Sequence, residues 1–286
     1  MPHSPEKDLN PPVSVIIPCY NHGEYILEAV GSVEACDRSL YELIIIDDGS
    51  TDPMTKRVLA ELKEKNYCVI NQQNQGLAAS RNNGIRAARG RYILPLDSDN
   101  KIHPEYITLG IEILDKRPEV GVVYGKPELF GNGGARNYPE VGVFDLHQLA
   151  ISNYIDACAL VRKSALVNCG YYDTQFPFPG WEDWDLWLTM ATKGWQFHFV
   201  DATLFSYRVT QGSMISFTKD PESERLNRMY LCQKHALLLW QIVVDQEAEI
   251  SNHRRALRYA RSWATAGFKG VAHEAFAEVT RKLRKR

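Results

Sequence analysis

The residues best suited to chemistry in this chain are acids that follow short apolar runs. Asp97-Ser98-Asp99 closes the run Arg91–Leu96. Side chains alternate with a period of two along an extended backbone, so Asp97 and Asp99 fall on the same side of it. Two hard carboxylates so placed suit Mg2+ or Mn2+ held jointly with substrate phosphates, not inside a complete protein cage. The same three letters also make an ordinary acidic turn, and only their company gives them meaning. Asp47-Asp48-Gly49-Ser50-Thr51-Asp52 follows a second apolar run. It fits a glycine turn leading into a capped helix, or a carboxylate set to accept a base N–H or a ribose hydroxyl. A third cluster, Gly180-Trp181-Glu182-Asp183-Trp184-Asp185, opens a helix. Acids favour a helix N-terminus through the macrodipole, and tryptophans are common core residues. Three acids and two tryptophans in five positions exceed what a helix start needs. Aromatic faces beside carboxylates suit a sugar, whose C–H faces pack on rings while its hydroxyls seek acceptors.

These clusters need a scaffold, and the apolar pattern supplies one. Val13–Pro18 and Leu43–Asp47 are short β-branched runs, which predict buried parallel strands. Tyr25, Ile26, Ala29, Val30 and Val33 recur at helical spacing between them, as do Val58, Leu59 and Leu62 after the second. Cys68–Ile70, helix-like Leu77–Ala88 and strand-like Arg91–Leu96 continue the alternation. Strand alternating with helix predicts an α/β fold, a parallel sheet with helices on both faces, whose ligands bind at the carboxyl ends of the strands. Cys19-Tyr20-Asn21, Asp47–Ser50, Gln72–Gly76 and Asp97–Asn100 all fall at such ends. Farther on, the pattern predicts a helix over Tyr106–Leu114 and a strand over Val120–Tyr124. A loop over Gly125–Val143 follows, then strands over Ala157–Val161, Phe197–Val200 and Leu204–Val209, and helix from Pro221 onward.

Composition sets the bounds. The 286 residues are 44% hydrophobic and 24% charged, near globular averages. No G-x-G-x-x-G or G-x-x-x-x-G-K-[ST] occurs, which argues against a dinucleotide enzyme or a P-loop NTPase. Phosphate would then be held by metal and isolated cations. Six scattered cysteines without a C-x-x-C pair predict buried, reduced thiols in a cytoplasmic protein. The polar start of the chain lacks the apolar stretch of a signal peptide. Ala236–Val244 is about half the ~20 residues a membrane span needs. The net charge of -2 hides a basic end, since residues 251–286 carry ten Lys or Arg against Glu274 and Glu278. That end predicts either a solvated helix terminus or peripheral contact with an anionic membrane.

Taken in order, VSVIIPCYN, IIIDDGSTD, NQGLAASRNNGI, ARGRYILPLDSDN, GWEDWDLWL and YRVTQGSM resemble the family 2 glycosyltransferases over Pro12–Ser216. The resemblance implies a GT-A fold, with a mainly parallel central sheet flanked by helices. Residues 1–11 form a tail, 12–216 the transferase domain (12–100 for nucleotide, 101–216 for acceptor) and 217–286 a helical extension. Carried over by position, Pro18, Tyr20, Asn21 and Asp48 contact the nucleoside, with Tyr20 stacking on the base. Arg81 braces the donor site, and Asp97, Ser98 and Asp99 meet ribose and metal, with Asp99 the direct ligand. Trp181 and Glu182 face sugar, Asp183 is the general base, and Arg208 and Ser213 contact the diphosphate. One position departs from the pattern: Thr210 stands where many members carry a histidine near the metal, which puts the strength of the metal site in question. The implied reaction is inverting transfer from a nucleotide-sugar, UDP-linked by family preference, to a carbohydrate or lipid-linked acceptor in polysaccharide biosynthesis, with Mn2+ or Mg2+ and no nucleic acid partner. The rival readings are a carbohydrate- or nucleotide-binding pseudoenzyme and a sugar-phosphate nucleotidylyltransferase.

Overall fold

The computed structural model describes residues 10–132, 138–210 and 220–265. Ser213 and the basic run Arg281–Arg286 lie outside the described residues. In the first half, β1 (Val13–Cys19), α1 (Ile26–Glu34), β2 (Tyr41–Asp47), α2 (Pro53–Glu64), β3 (Cys68–Asn71), α3 (Leu77–Ala87) and β4 (Tyr92–Pro95) alternate as the sequence predicts. Every residue of β1 is buried, which is why it reads as an unbroken apolar run and not as an alternating one. Helix α1 buries Ile26, Ala29, Val30 and Val33, one stripe at helical spacing. Helix α2 starts where Asp52 accepts the Thr55 N–H at 2.7 Å, with Pro53 in its first turn.

The second half contributes β5 (Lys101–Ile102), α4 (Glu105–Lys116), β6 (Val120–Phe130), α5 (Leu146–Ile151), β7 (Leu160–Arg162), α6 (Lys163–Cys169), α7 (Glu182–Thr192) and β8 (Gln196–Arg208). One sheet joins both halves in the order β3-β2-β1-β4-β7-β6-β8-β5. Pairings within β3-β2-β1-β4 and between β6 and β8 are parallel. Strand β7 runs antiparallel to β4 and β6, and β5 antiparallel to β8.

Four local expectations are corrected. Gly125–Phe130, predicted as loop, continues β6, because β8 pairs with it as far as Phe130↔Arg208. The turn-forming residues Gly125 and Pro127 mark shifts of register, not an end of the strand. Gly125 is also required there: a Cβ would lie 2.6 Å from the Leu204 side chain and 2.9 Å from the Ala202 carbonyl oxygen. The two predicted strands after Trp195 are a single β8, with exposed Asp201-Ala202-Thr203 in its middle. Strand β7 begins only at Leu160, since Asp156 accepts the Cys158 N–H at 2.8 Å and Ala159 N–H donates back to the Ala157 carbonyl, turning the chain first. All six cysteines are free, but Cys68 and Cys232 are exposed, the former on the edge strand β3.

The chain divides into two compact units, residues 1–233 and 234–286. The division falls inside 217–286. Helix α8 (Pro221–Lys234) packs on the sheet unit, where the Asn227 side chain accepts the Phe178 N–H and donates to the Phe178 carbonyl, both at 3.0 Å. Helix α9 (Ala236–Thr265) is the described part of the second unit. No helix among the described residues is long and apolar enough to cross a membrane.

Candidate active site

The carboxyl ends of β1, β2 and β4 and the segment after β3 surround a cavity of about 410 Å³ lined by Pro18, Tyr20, Asp48, Gly76, Asp97, Ser98 and Asp99 among others. Tyr20 is 45% exposed, so its ring is free to stack. Asn21 does not line the cavity. Its backbone takes φ 56°, and its carboxamide oxygen accepts the Thr51 and Asp52 N–H groups at 2.8 and 2.9 Å, tying the first loop to the second. Asp48 is buried and accepts three hydrogen bonds: from Gln72 Nε2 at 2.7 Å, Gln75 N at 2.8 Å and Gly76 N at 2.9 Å. It therefore shapes the 72–76 loop while presenting an edge to the cavity. Gly49 beside it has φ 71°, and a Cβ would sit 2.7 Å from Asn74 N, so only glycine lets the two loops meet.

Asp97 and Asp99 do stand together. Burial, and then the charge of Asp97, push Asp99 up to about 6. A divalent cation would relieve both effects, and hard oxygen donors suit Mg2+ or Mn2+. Among the described residues no three His, Cys, Asp or Glu converge, so such an ion would complete its shell with phosphate and water. Ser98 Oγ lies 3.0 Å from His22 Nδ1. Arg208 is held inside the protein: its Nε donates to the Asp99 carbonyl at 2.9 Å, its Nη2 meets Glu28 at 2.8 Å, and its guanidinium lies over Tyr25 and Phe130.

A larger cavity of about 800 Å³ opens against the first and shares Leu77, Asp97 and Tyr207 with it. Trp181, Glu182 and Asp183 reach its wall from the start of α7. Both Glu182 oxygens are engaged by protein, with Arg81 Nη1 at 2.9 Å and Gly180 N at 2.8 Å. Arg81 completes a triad by donating to Asp97 at 2.7 Å. Burial works against its charge, but Asp97 and Glu182 outweigh that and hold its pKa above the usual value. Asp183 accepts from Asn153 Nδ2 at 3.1 Å and from Trp184 N at 2.7 Å. Burial, reinforced by Glu182, pushes its carboxyl up to about 8, with Arg81 opposing. Trp184 and Trp187 are core residues whose indole N–H groups donate to the Leu149 and Ile155 carbonyls. Asp185 is buried and does not line the cavity. The sequence did not single out Asn153 or Tyr138 as wall residues, and it carried Tyr207 only as the first residue of YRVTQGSM within a predicted strand.

The fold sets this acidic double cavity at the carboxyl end of β4, with Asp97 on both parts, and comparison with known proteins places the chain in a family. Residues 14–170 match glycosyl transferase family 2, and the chain belongs to that family. Poly-beta-1,6-N-acetyl-D-glucosamine synthase of Staphylococcus epidermidis is 28% identical over 200 residues, covering 66% of this chain and 46% of that protein. An uncharacterized glycosyltransferase of Rickettsia conorii is 28% identical over 204 residues, 70% of this chain and 33% of that one. The chain thus spans less than half the length of either relative. Among solved structures, S. aureus TarS 1-349 in complex with UDP-GlcNAc superposes with a TM-score of 0.58 at 22% identity, covering 71% of this chain and 60% of that one. That likeness shows the GT-A architecture.

Proposed function

We propose that the chain is an inverting glycosyltransferase that moves one sugar from a UDP-sugar to a hydroxyl of a carbohydrate acceptor. The observation that carries this reading is the shared wall: Asp97 and Tyr207 face both cavities, whereas Asp183 faces only the larger one. A nucleotide in the smaller cavity would present its sugar at that wall. Asp183 would then stand on the acceptor side, opposite the leaving diphosphate, as in-line displacement requires. An unshifted carboxylate is a weak base toward an alcohol. Asp183, raised toward 8, is better matched to take the hydroxyl proton as the new C–O bond forms. Asn153 holds its Oδ2 in place, and Trp181 lines the same cavity. Asp99 and Asp97 would hold a Mn2+ or Mg2+ ion, which when bound neutralises charge on the diphosphate.

The UDP-GlcNAc bound by the TarS structure and the N-acetylglucosamine polymer named for the Staphylococcus relative favour UDP-GlcNAc as the first donor to try. The basic run Arg281–Arg286, outside the described residues, would hold the protein at an anionic inner membrane face carrying lipid-linked acceptors. Incubation with UDP-GlcNAc, Mn2+ and an acceptor panel, with NMR assignment of the product anomer, tests the reading. A product of retained configuration overturns the single displacement.

A further inference from the structure

Asp156 is a carboxylate on the larger cavity that the proposed reaction does not use. Its backbone is pinned from both sides. The Ile155 carbonyl accepts from the indole of Trp187 at 3.0 Å, and the Cys158 carbonyl accepts from the Tyr106 hydroxyl at 2.9 Å. Trp187 and Tyr106 are fully buried, so the segment has little freedom to move. Asp156 Oδ1 accepts the Cys158 N–H at 2.8 Å, and Oδ2 accepts the Tyr138 hydroxyl at 3.0 Å. A carboxylate offers about four acceptor positions, so these two bonds leave capacity directed at the cavity that Asp156 lines. Among the described residues no Lys or Arg forms an ion pair with it. A carboxylate kept in such a wall without a paired cation is poorly explained by stability alone.

Its place on the wall tells which substrate it meets. The Tyr138 ring meets the Tyr207 ring edge-on with centroids 5.4 Å apart, and Tyr207 faces both cavities. Asp156 and Tyr138 therefore belong to the junction, where a sugar attached to a diphosphate in the smaller cavity must come. Asp183, held by Asn153, lines the same cavity, near enough that the Asp156 charge helps to raise its carboxyl. We infer that Asp156, oriented by Tyr138, accepts a hydroxyl of the donor's transferred sugar and so sets donor-sugar selectivity; this rests on the nucleotide-sugar reading above. Consistent with that place, burial and then the nearby charge of Asp97 push the Asp156 carboxyl up to about 6. A sugar hydroxyl donating to it would favour the ionised form.

The test is calorimetric titration of UDP, UDP-GlcNAc and its 4-epimer UDP-GalNAc into wild type, Asp156→Asn and Tyr138→Phe, with Mn2+ present. The amide still accepts from the Cys158 N–H but loses the anionic acceptor. The expected result is UDP affinity unchanged within about twofold, while the ratio of UDP-sugar to UDP affinity falls about tenfold or more, the worth of a hydrogen bond to a charged group. Preference between the two epimers should narrow in parallel. Tyr138→Phe leaves the carboxylate in place but unguided, and its ratio should fall a few-fold. If Asp156→Asn does not fold, Tyr138→Phe decides alone, and an unchanged ratio overturns the inference. A parallel loss of UDP and UDP-sugar affinity also overturns it, as does a raised acceptor KM with the ratio intact. Wild type that binds neither UDP nor a UDP-sugar overturns the proposed function itself, and the inference falls with it. Wild type that binds both, with ratios unmoved in the variants, overturns the inference alone.

Discussion

Arg81 and Glu182 meet at 2.9 Å although 101 positions separate them in the chain. The same guanidinium bonds Asp97 at 2.7 Å, so one buried cation fastens the end of β4 to the start of α7. Breaking a buried pair by removing one partner leaves an uncompensated charge, a loss of about 3–5 kcal/mol. Arg81→Met should lower unfolding free energy by that order in urea titration. Arg81→Lys should not restore it, because one ammonium cannot span two carboxylates as a planar fork does. A change below about 1 kcal/mol would mean the triad behaves like a surface pair.

Asp183→Asn should bind UDP almost normally while transfer falls by about 10²–10⁴-fold, the usual worth of a positioned base. The pH profile follows from the direction of its shift. The ionised form is the base, so the wild-type rate should rise with pH through about 8 and then level. On the stability side, a carboxyl raised from 3.8 to about 8 contributes stability that is present below pH 3.8 and lost as pH rises through 8. Asp183→Asn should therefore gain on wild type in melts at pH 8–9 and match it near pH 4. Glu182→Gln behaves differently, because it weakens the hold on Arg81 and should cost stability as well as rate. Near-normal transfer by Asp183→Asn would place the base elsewhere.

What could be read in the sequence depended on the range of the interaction. Strands β1, β2 and β4 were legible because a strand buried on both faces is an unbroken apolar run. The acids after them were legible because a parallel sheet places its binding groups at those ends. The second half of β6 was not, since what keeps Gly125–Phe130 extended is pairing with β8, some eighty positions on. For the same reason no local pattern could reveal that Arg81 and Glu182 pair, or that Asn21 serves the Ser50–Asp52 turn. Asp156 stood in an apolar stretch and carried only the weak signal of an acid just before a strand.

Metal dependence should be concentrated at Asp99. It is the acid pushed up by burial and by Asp97, so removing it relieves repulsion in the apo protein and abolishes a ligand in the loaded one. Asp99→Ala should melt no lower than wild type without metal, yet show no gain in UDP affinity on adding Mn2+. Calorimetry of UDP with and without Mn2+ reads this directly. Equal Mn2+ enhancement in wild type and variant would exclude Asp99 as a ligand.

Asp48 separates two ways of serving a nucleotide, by touching it or by holding the loop that does. Its carboxylate accepts from Gln72 Nε2, Gln75 N and Gly76 N, and all three groups are donors. Asp48→Asn replaces one acceptor oxygen with an NH2 that must face a donor, so at least one bond is lost whichever way the amide turns. Each lost bond to a charged group is worth about 1.5–3 kcal/mol, and the 72–76 loop should open locally. Hydrogen exchange is therefore expected to speed at the Gln75 and Gly76 amides, with UDP affinity falling about tenfold. If both amides stay protected while affinity still drops, Asp48 acts on the nucleoside itself and the loop is held by other contacts.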